Sequence, residues 1–87
     1  MKFVILDNIR SAHNVGSIFR TSDGAGVAKI FLVGVTPCPV DRFGRPQPEI
    51  VKTSLGAAGI VPWEQVGDAD AVLLVRRLRS EGVTVAA

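Results

Sequence analysis

The chain has 87 residues, with ten Lys plus Arg against eight Asp plus Glu and a formal charge of +2. Hydrophobic residues make up 47 % and charged residues 21 %, which fits one small packed unit and excludes a disordered or coiled-coil chain. One cysteine and one histidine exclude an internal disulfide, a Cys-x-x-Cys redox pair and a four-cysteine zinc site, and a reducing, cytoplasmic setting is the default expectation.

Met1 to Asp7 holds only four consecutive apolar residues, too few for a signal-peptide core or a membrane span. Phe3 to Leu6 reads as a buried strand that runs into a polar loop at Asp7 and Asn8. From Asn14, a candidate N-cap, Val15, Ile18, Phe19 and Ser22 recur at helical spacing, and Gly24 and Gly26 supply a left-handed stop. A helix of about ten residues is predicted there. Lys29 to Val35 is apolar at successive positions and reads as a strand buried on both faces, completing a strand-helix-strand unit.

Thr36 to Pro48 carries four of the five prolines, with Arg42, Gly44 and Arg45 between them, and is predicted to be a long exposed loop. Such a loop is either functional or a bland surface excursion. A short helix over Glu49 to Ala58 and a short strand over Ile60 to Trp63, cut off by Pro62, are expected next. Asp68 and Asp70 then open a helix whose apolar face is Ala71, Val72, Leu74, Val75 and Leu78, with Arg76, Arg77 and Arg79 in its last turns and Gly82 ending it. Val83 to Ala87 is a final β-branched run that reads as a central strand lacking the charge or proline that protects a sheet edge. The order predicts an α/β fold: three αβα layers around a mostly parallel sheet, in one partial domain spanning residues 1–87.

Chemistry concentrates after the first strand, in Asp7, Asn8, Arg10, Ser11, His13 and Asn14, followed by Arg20 on the helix. Ligands of α/β sheets gather beyond the carboxyl ends of the strands, and a helix N-terminus with arginines nearby suits a phosphate. Taken alone, Asn14 also serves as a helix cap, Arg20 as a solvated helix residue and His13 as an ordinary surface histidine, so these residues leave both readings open. Arg76, Arg77 and Arg79 match the helix dipole and need no ligand. Gly24-Ala25-Gly26 lacks the third glycine of a dinucleotide loop, and no glycine-rich stretch ends in Gly-Lys-Ser or Gly-Lys-Thr, so neither NAD nor ATP is indicated. Gly56-Ala57-Ala58-Gly59 matches the Gly-x-x-Gly of a single-strand RNA module only superficially, without flanking basic residues, and reads as a helix end.

Read continuously, Leu6 to Val27 resembles the first signature motif of the SpoU-type RNA 2′-O-ribose methyltransferases of the SPOUT superfamily. The agreement includes Asn14-Val15-Gly16, Arg20-Thr21 and the strand Lys29 to Val35, and extends to Lys52-Thr53-Ser54-Leu55-Gly56-Ala57 and Val61-Pro62-Trp63-Glu64. The resemblance implies transfer of a methyl group from S-adenosylmethionine to a ribose 2′-hydroxyl in tRNA or rRNA. By the same resemblance Asn14 and Arg20 are the catalytic positions, with Gly16 permitting close approach of RNA or of a packing partner. Arg10, Ser11, His13, Arg42 and Arg45 are candidate RNA contacts. The family's second and third motifs, a Gly-Asn-Glu-type loop and a Ser-Leu-Asn-type segment, do not occur in this sequence. Those segments build the knot that binds S-adenosylmethionine. The resemblance is therefore to the N-terminal half of an α/β-knot domain, with no cofactor-binding or metal-binding residue expected among these 87. Family members are typically homodimers assembled around the knotted half. Two other expectations are compatible with the same residues: a non-catalytic RNA-binding or regulatory module, and an inactive half-fold.

Overall fold

A computed structural model describes residues 2–41 and 43–80, and the backbone of 84–86. The sheet is wholly parallel, built from β1 (Lys2–Asp7), β2 (Lys29–Val33), β3 (Trp63–Val66) and β4 (Thr84–Ala86) in the order β3-β2-β1-β4. Its register pairs Ile5 with Phe31 and Leu6 with Leu32 between β1 and β2, and Leu32 with Gln65 between β2 and β3.

Alternation along the two inner strands divides the core. Leu6, Ile30 and Leu32 point to one face, where they pack with Val15 and Phe19 of α1 (Ala12–Ala25) and Ile50 of α2 (Pro48–Ser54). Ile5, Phe31 and Val33 point to the other and pack with Leu74 and Leu78 of α3 (Asp68–Ser80). The expected three αβα layers are therefore present, because each inner strand is apolar on both faces.

Several boundaries differ from those expected. Ser11, not Asn14, caps α1: its Oγ accepts the Asn14 backbone N–H at 3.2 Å, and the helix runs 14 residues from Ala12. Gly24 lies inside α1, and Gly26 alone takes the left-handed cap conformation, at φ 72°. β2 stops at Val33 because Gly34 turns the chain at φ 67°, leaving Val35 outside the strand and exposed. Leu55 and Gly56 both adopt positive φ, so the helix expected through Ala58 ends at Ser54 and a single 3-10 turn, Ala57–Gly59, follows. The third strand begins where it was expected to end. Pro62 precedes it and uses its carbonyl to accept the Ile30 N–H at 3.0 Å, so a residue that cannot donate costs the ladder nothing there.

In α3, Val72 lies on the solvent side, 61 % exposed, while Leu74 and Leu78 carry the buried stripe. Among the described residues β4 pairs with β1 and stands last in the order of the four strands. Gly82, Val83 and Ala87 lie outside the described residues.

The segment after β2 is not a uniformly exposed loop. Thr36 and Cys38 are buried, and the chain then closes a hairpin in which Val40 bridges antiparallel to Pro46. No helix among the described residues is long and apolar enough to cross a membrane.

Candidate RNA-facing surface at the carboxyl ends of the strands

Two loops leave the carboxyl ends of β1 and β2 side by side and are tied together by a threonine. The Thr36 hydroxyl lies 3.0 Å from the Leu6 carbonyl and 2.8 Å from the Val33 carbonyl, and accepts the Ile9 N–H at 3.1 Å. One side chain thereby satisfies backbone groups of both strand ends.

Asn8 makes the second tie. It sits at φ 54°, a conformation asparagine tolerates better than most side chains, and its Oδ1 accepts the Val35 N–H at 3.1 Å. Its Nδ2 donates to Asp7 Oδ1 at 3.0 Å and to Asp68 Oδ1 at 3.2 Å, reaching the first residue of α3. Gly34 lies directly against this cluster, and a Cβ there would collide with Asn8 Oδ1 and stand 2.6 Å from Asp68 Oδ1.

On this frame α1 begins. Arg10, His13 and Asn14 are exposed around its first turn, and Ser11 is occupied with capping. Arg20 is exposed further along and makes no ion pair among the described residues. Arg20 lies six positions after Asn14 on the helix, about 9 Å along the axis and roughly a third of a turn around it. Both flank the buried stripe of Val15, Phe19 and Ser22 from opposite sides. Gly16, between them, faces α2 rather than solvent: a Cβ there would overlap the Thr53 hydroxyl and approach Ile50 O at 3.0 Å. Helix packing is the reason for this glycine.

Arg45 lies in the second loop, on the hairpin. Asp41 organises it, with Oδ1 accepting the N–H groups of Phe43 and Arg45 at 2.8 and 3.0 Å and Oδ2 accepting Arg45 Nε at 3.2 Å. These bonds, the Arg45 N–H first, hold the Asp41 carboxyl below the usual carboxylate range. Arg42 lies outside the described residues. Asn8, Thr36 and Asp41 are the organising residues that sequence reasoning did not single out for this role. Asp41 had a readable signal, an acid three residues before Gly44 in a turn-rich segment, whereas the partners of Asn8 and Thr36 lie up to 60 positions away.

A parallel αβα layer with exposed Arg10 and Arg45 on the loops that follow β1 and β2 belongs to the class of α/β domains that take ligands at the carboxyl edge of the sheet. Within that class, the chain belongs to the SpoU rRNA Methylase family, whose model matches residues 1–87. It is 31 % identical over 80 residues to the 23S rRNA (guanosine-2′-O-)-methyltransferase RlmB of Vibrio parahaemolyticus, covering 92 % of this chain and 29 % of that protein. Among solved structures, an rRNA methyltransferase from Sinorhizobium meliloti is 33 % identical, with a TM-score of 0.70 over 86 % of this chain and 27 % of that one. The AdoMet-bound form of the Sinorhizobium meliloti rRNA methyltransferase is equally similar, at 33 % identity and a TM-score of 0.71, covering 86 % of this chain and 26 % of that one. The chain thus spans less than a third of the length of the relatives it matches.

A groove of about 500 Å³ beside β1 and α3 offers aliphatic side chains with Asp7, Arg76 and Arg79. No buried side-chain polar atom among the described residues is left without a partner that a ligand could supply. Nor do three metal-ligating side chains come together among them.

Proposed function

We propose that this chain is the RNA-engaging part of a SpoU-type RNA 2′-O-ribose methyltransferase that takes its methyl group from S-adenosylmethionine and acts on rRNA or tRNA. The observation that carries this reading is the exposure of Asn14 and Arg20 on α1, the first helix beyond the strand ends, with Arg20 in no ion pair among the described residues. A guanidinium in that position holds a backbone phosphate through paired N–H donors and so places the adjoining ribose. Its positive field also eases loss of the 2′-hydroxyl proton. It does not take that proton itself, since a guanidinium in water is already protonated. The Asn14 amide offers both a donor and an acceptor to a ribose hydroxyl. The spacing of the two residues suits contacts at successive points of one strand rather than a joint grip on one atom. A cytoplasmic setting, where such RNA is modified, accords with this reading.

The chain covers 29 % of the length of its Vibrio parahaemolyticus relative, and the share of the reaction assigned to it is RNA binding and placement of the 2′-hydroxyl. The same observation favours the second reading, an RNA-binding module without transfer. The deciding experiment replaces the matching segment of the Vibrio parahaemolyticus relative with this chain and measures methylation of its rRNA. The enzyme reading expects transfer in the chimera and its loss in the Asn14→Ala and Arg20→Ala variants. A folded chimera that binds RNA and transfers nothing leaves the binding module as the function.

A further inference from the structure

The outer side of α3 is not the polar face of an ordinary surface helix. Leu74 and Leu78 bury its inner stripe against the sheet, while Val72 is 61 % exposed and Leu73 64 % exposed. Acids open the helix at Asp68 and Asp70, and Arg76, Arg77 and Arg79 crowd its end. None of these charged side chains makes an ion pair among the described residues, and only Asp68 has a side-chain hydrogen bond, from Asn8. The helix dipole accounts for the sign of the charge at each end. It does not account for two adjacent, large aliphatic side chains held in water between those ends.

Asp70, Leu73 and Arg77 follow one another at spacings of three and four, so they share one side of the helix. All three line a groove of about 320 Å³ between α3 and β3. Glu64, which also lines it, is already paired with Lys29 at 3.1 Å. Along this side the order is acid, aliphatic, base, with the acid about 4.5 Å before Leu73 and the base about 6 Å after it. Turned end for end, that order is its own complement. In an antiparallel pair of α3 helices related by a two-fold axis near Leu73, Asp70 of each copy stands beside Arg77 of the other and Leu73 packs on Leu73. The opposed helix dipoles favour the same arrangement. An RNA backbone would match the arginines and leave Leu73 and Asp70 unmatched, and an apolar peptide would leave both charges unpaired.

We infer that α3 is a self-association surface on which a second copy of this chain docks antiparallel about a two-fold axis. A helix of 13 residues is about 20 Å long, so the contact stands at the small end of protein interfaces and monomer and dimer exchange. α1 packs on the opposite face of the sheet, so Asn14 and Arg20 lie outside the contact and a dimer carries their surface twice.

Sedimentation equilibrium of the chain over a concentration series tests this. The expected result is a reversible monomer–dimer equilibrium, weakened at least about tenfold in Leu73→Asp, which loses the apolar contact and sets like charges together. Charge variants test the orientation. Asp70→Arg and the double variant Arg76→Asp/Arg77→Asp are each expected to lose the dimer, and an equimolar mixture of the two is expected to regain it with one copy of each. Mixing repairs a contact and does not repair a folding defect. In Leu73→Cys, oxidation is expected to join residue 73 to its own counterpart, whereas Ser80→Cys, about 10 Å further along the helix, stays unlinked. Cys38 is buried and does not compete. A wild-type chain that is monomeric at every concentration overturns the inference and leaves the face to a partner of another kind. Dimerisation that is unchanged in Leu73→Asp and in both charge variants overturns it by placing the contact elsewhere. Absence of the 73–73 disulfide, or failure of the two folded charge variants to associate, overturns the antiparallel order and the inference with it. The RNA-binding reading stands or falls separately, since no RNA enters this experiment.

Discussion

Gly16 of α1 and Thr53 of α2 stand so close that no side chain fits between them: a Cβ at residue 16 overlaps the Thr53 hydroxyl and lies 2.9 Å from Thr53 Cβ. In an open helix, Gly→Ala stabilises by roughly 0.5 to 1 kcal/mol. At this position the sign reverses. Gly16→Ala is expected to destabilise by about 1 to 3 kcal/mol through overpacking, read as a lower urea midpoint. Adding Thr53→Ala to Gly16→Ala recovers part of the loss, because the hydroxyl is gone while the Ile50 carbonyl at 3.0 Å remains.

Ser11 was a candidate RNA contact, and its Oγ caps α1. Ser11→Ala is expected to lower stability by about 1 kcal/mol, and Ser11→Asp to retain most of it. An RNA affinity that follows stability across this pair identifies Ser11 as structural. A loss in Ser11→Asp alone, with stability kept, shows instead that a new negative charge faces RNA at this point.

Asn8 combines a left-handed backbone with side-chain bonds to three segments. Asn8→Gly keeps the backbone conformation and loses the bonds, whereas Asn8→Ala loses both, so Ala is the more damaging of the two, by about 1 kcal/mol. Asn8→Asp sets a third carboxylate beside Asp7 and Asp68 and is expected to gain stability as pH is lowered into the carboxylate range. Thermal unfolding of the three variants across pH checks both orderings.

The depressed Asp41 carboxyl makes the hairpin acid-sensitive. Its contribution is fully present above the unfolded carboxylate value, about 3.9, and is lost as pH falls through the lower folded value. The Phe43 and Arg45 amide resonances are therefore expected to shift together below about pH 4 and to be insensitive to pH in Asp41→Asn. Independent movement of the two would show that one carboxylate does not hold both.

Arg20→Ala removes an exposed side chain with no ion pair among the described residues, so unfolding is expected to change by less than about 0.5 kcal/mol. RNA affinity falls, and the salt slope drops by about one, the signature of one lost phosphate contact. An unchanged slope places Arg20 away from the RNA backbone.

The amino-acid sequence alone determined the layers of this protein and the helix that carries its candidate site. Runs such as Ile30 to Val33 are apolar at every position, and this demands cover on both faces of the sheet. The spacing of Val15, Phe19 and Ser22 turns Asn14 and Arg20 outward, and the motif around them is specific enough to carry the family resemblance. Periodicity is a local signal, and these are local facts. Only the tertiary structure decided that Gly16 serves helix packing, that Pro62 precedes β3, and that the loop after β2 is a braced hairpin. It also decided that Asn8 and Thr36 lock the strand ends together, through partners 27 to 60 residues away in the chain. A side chain that bonds to backbone so distant leaves no repeat in its neighbourhood, and its role is set when the parallel strands bring their carboxyl ends to one edge.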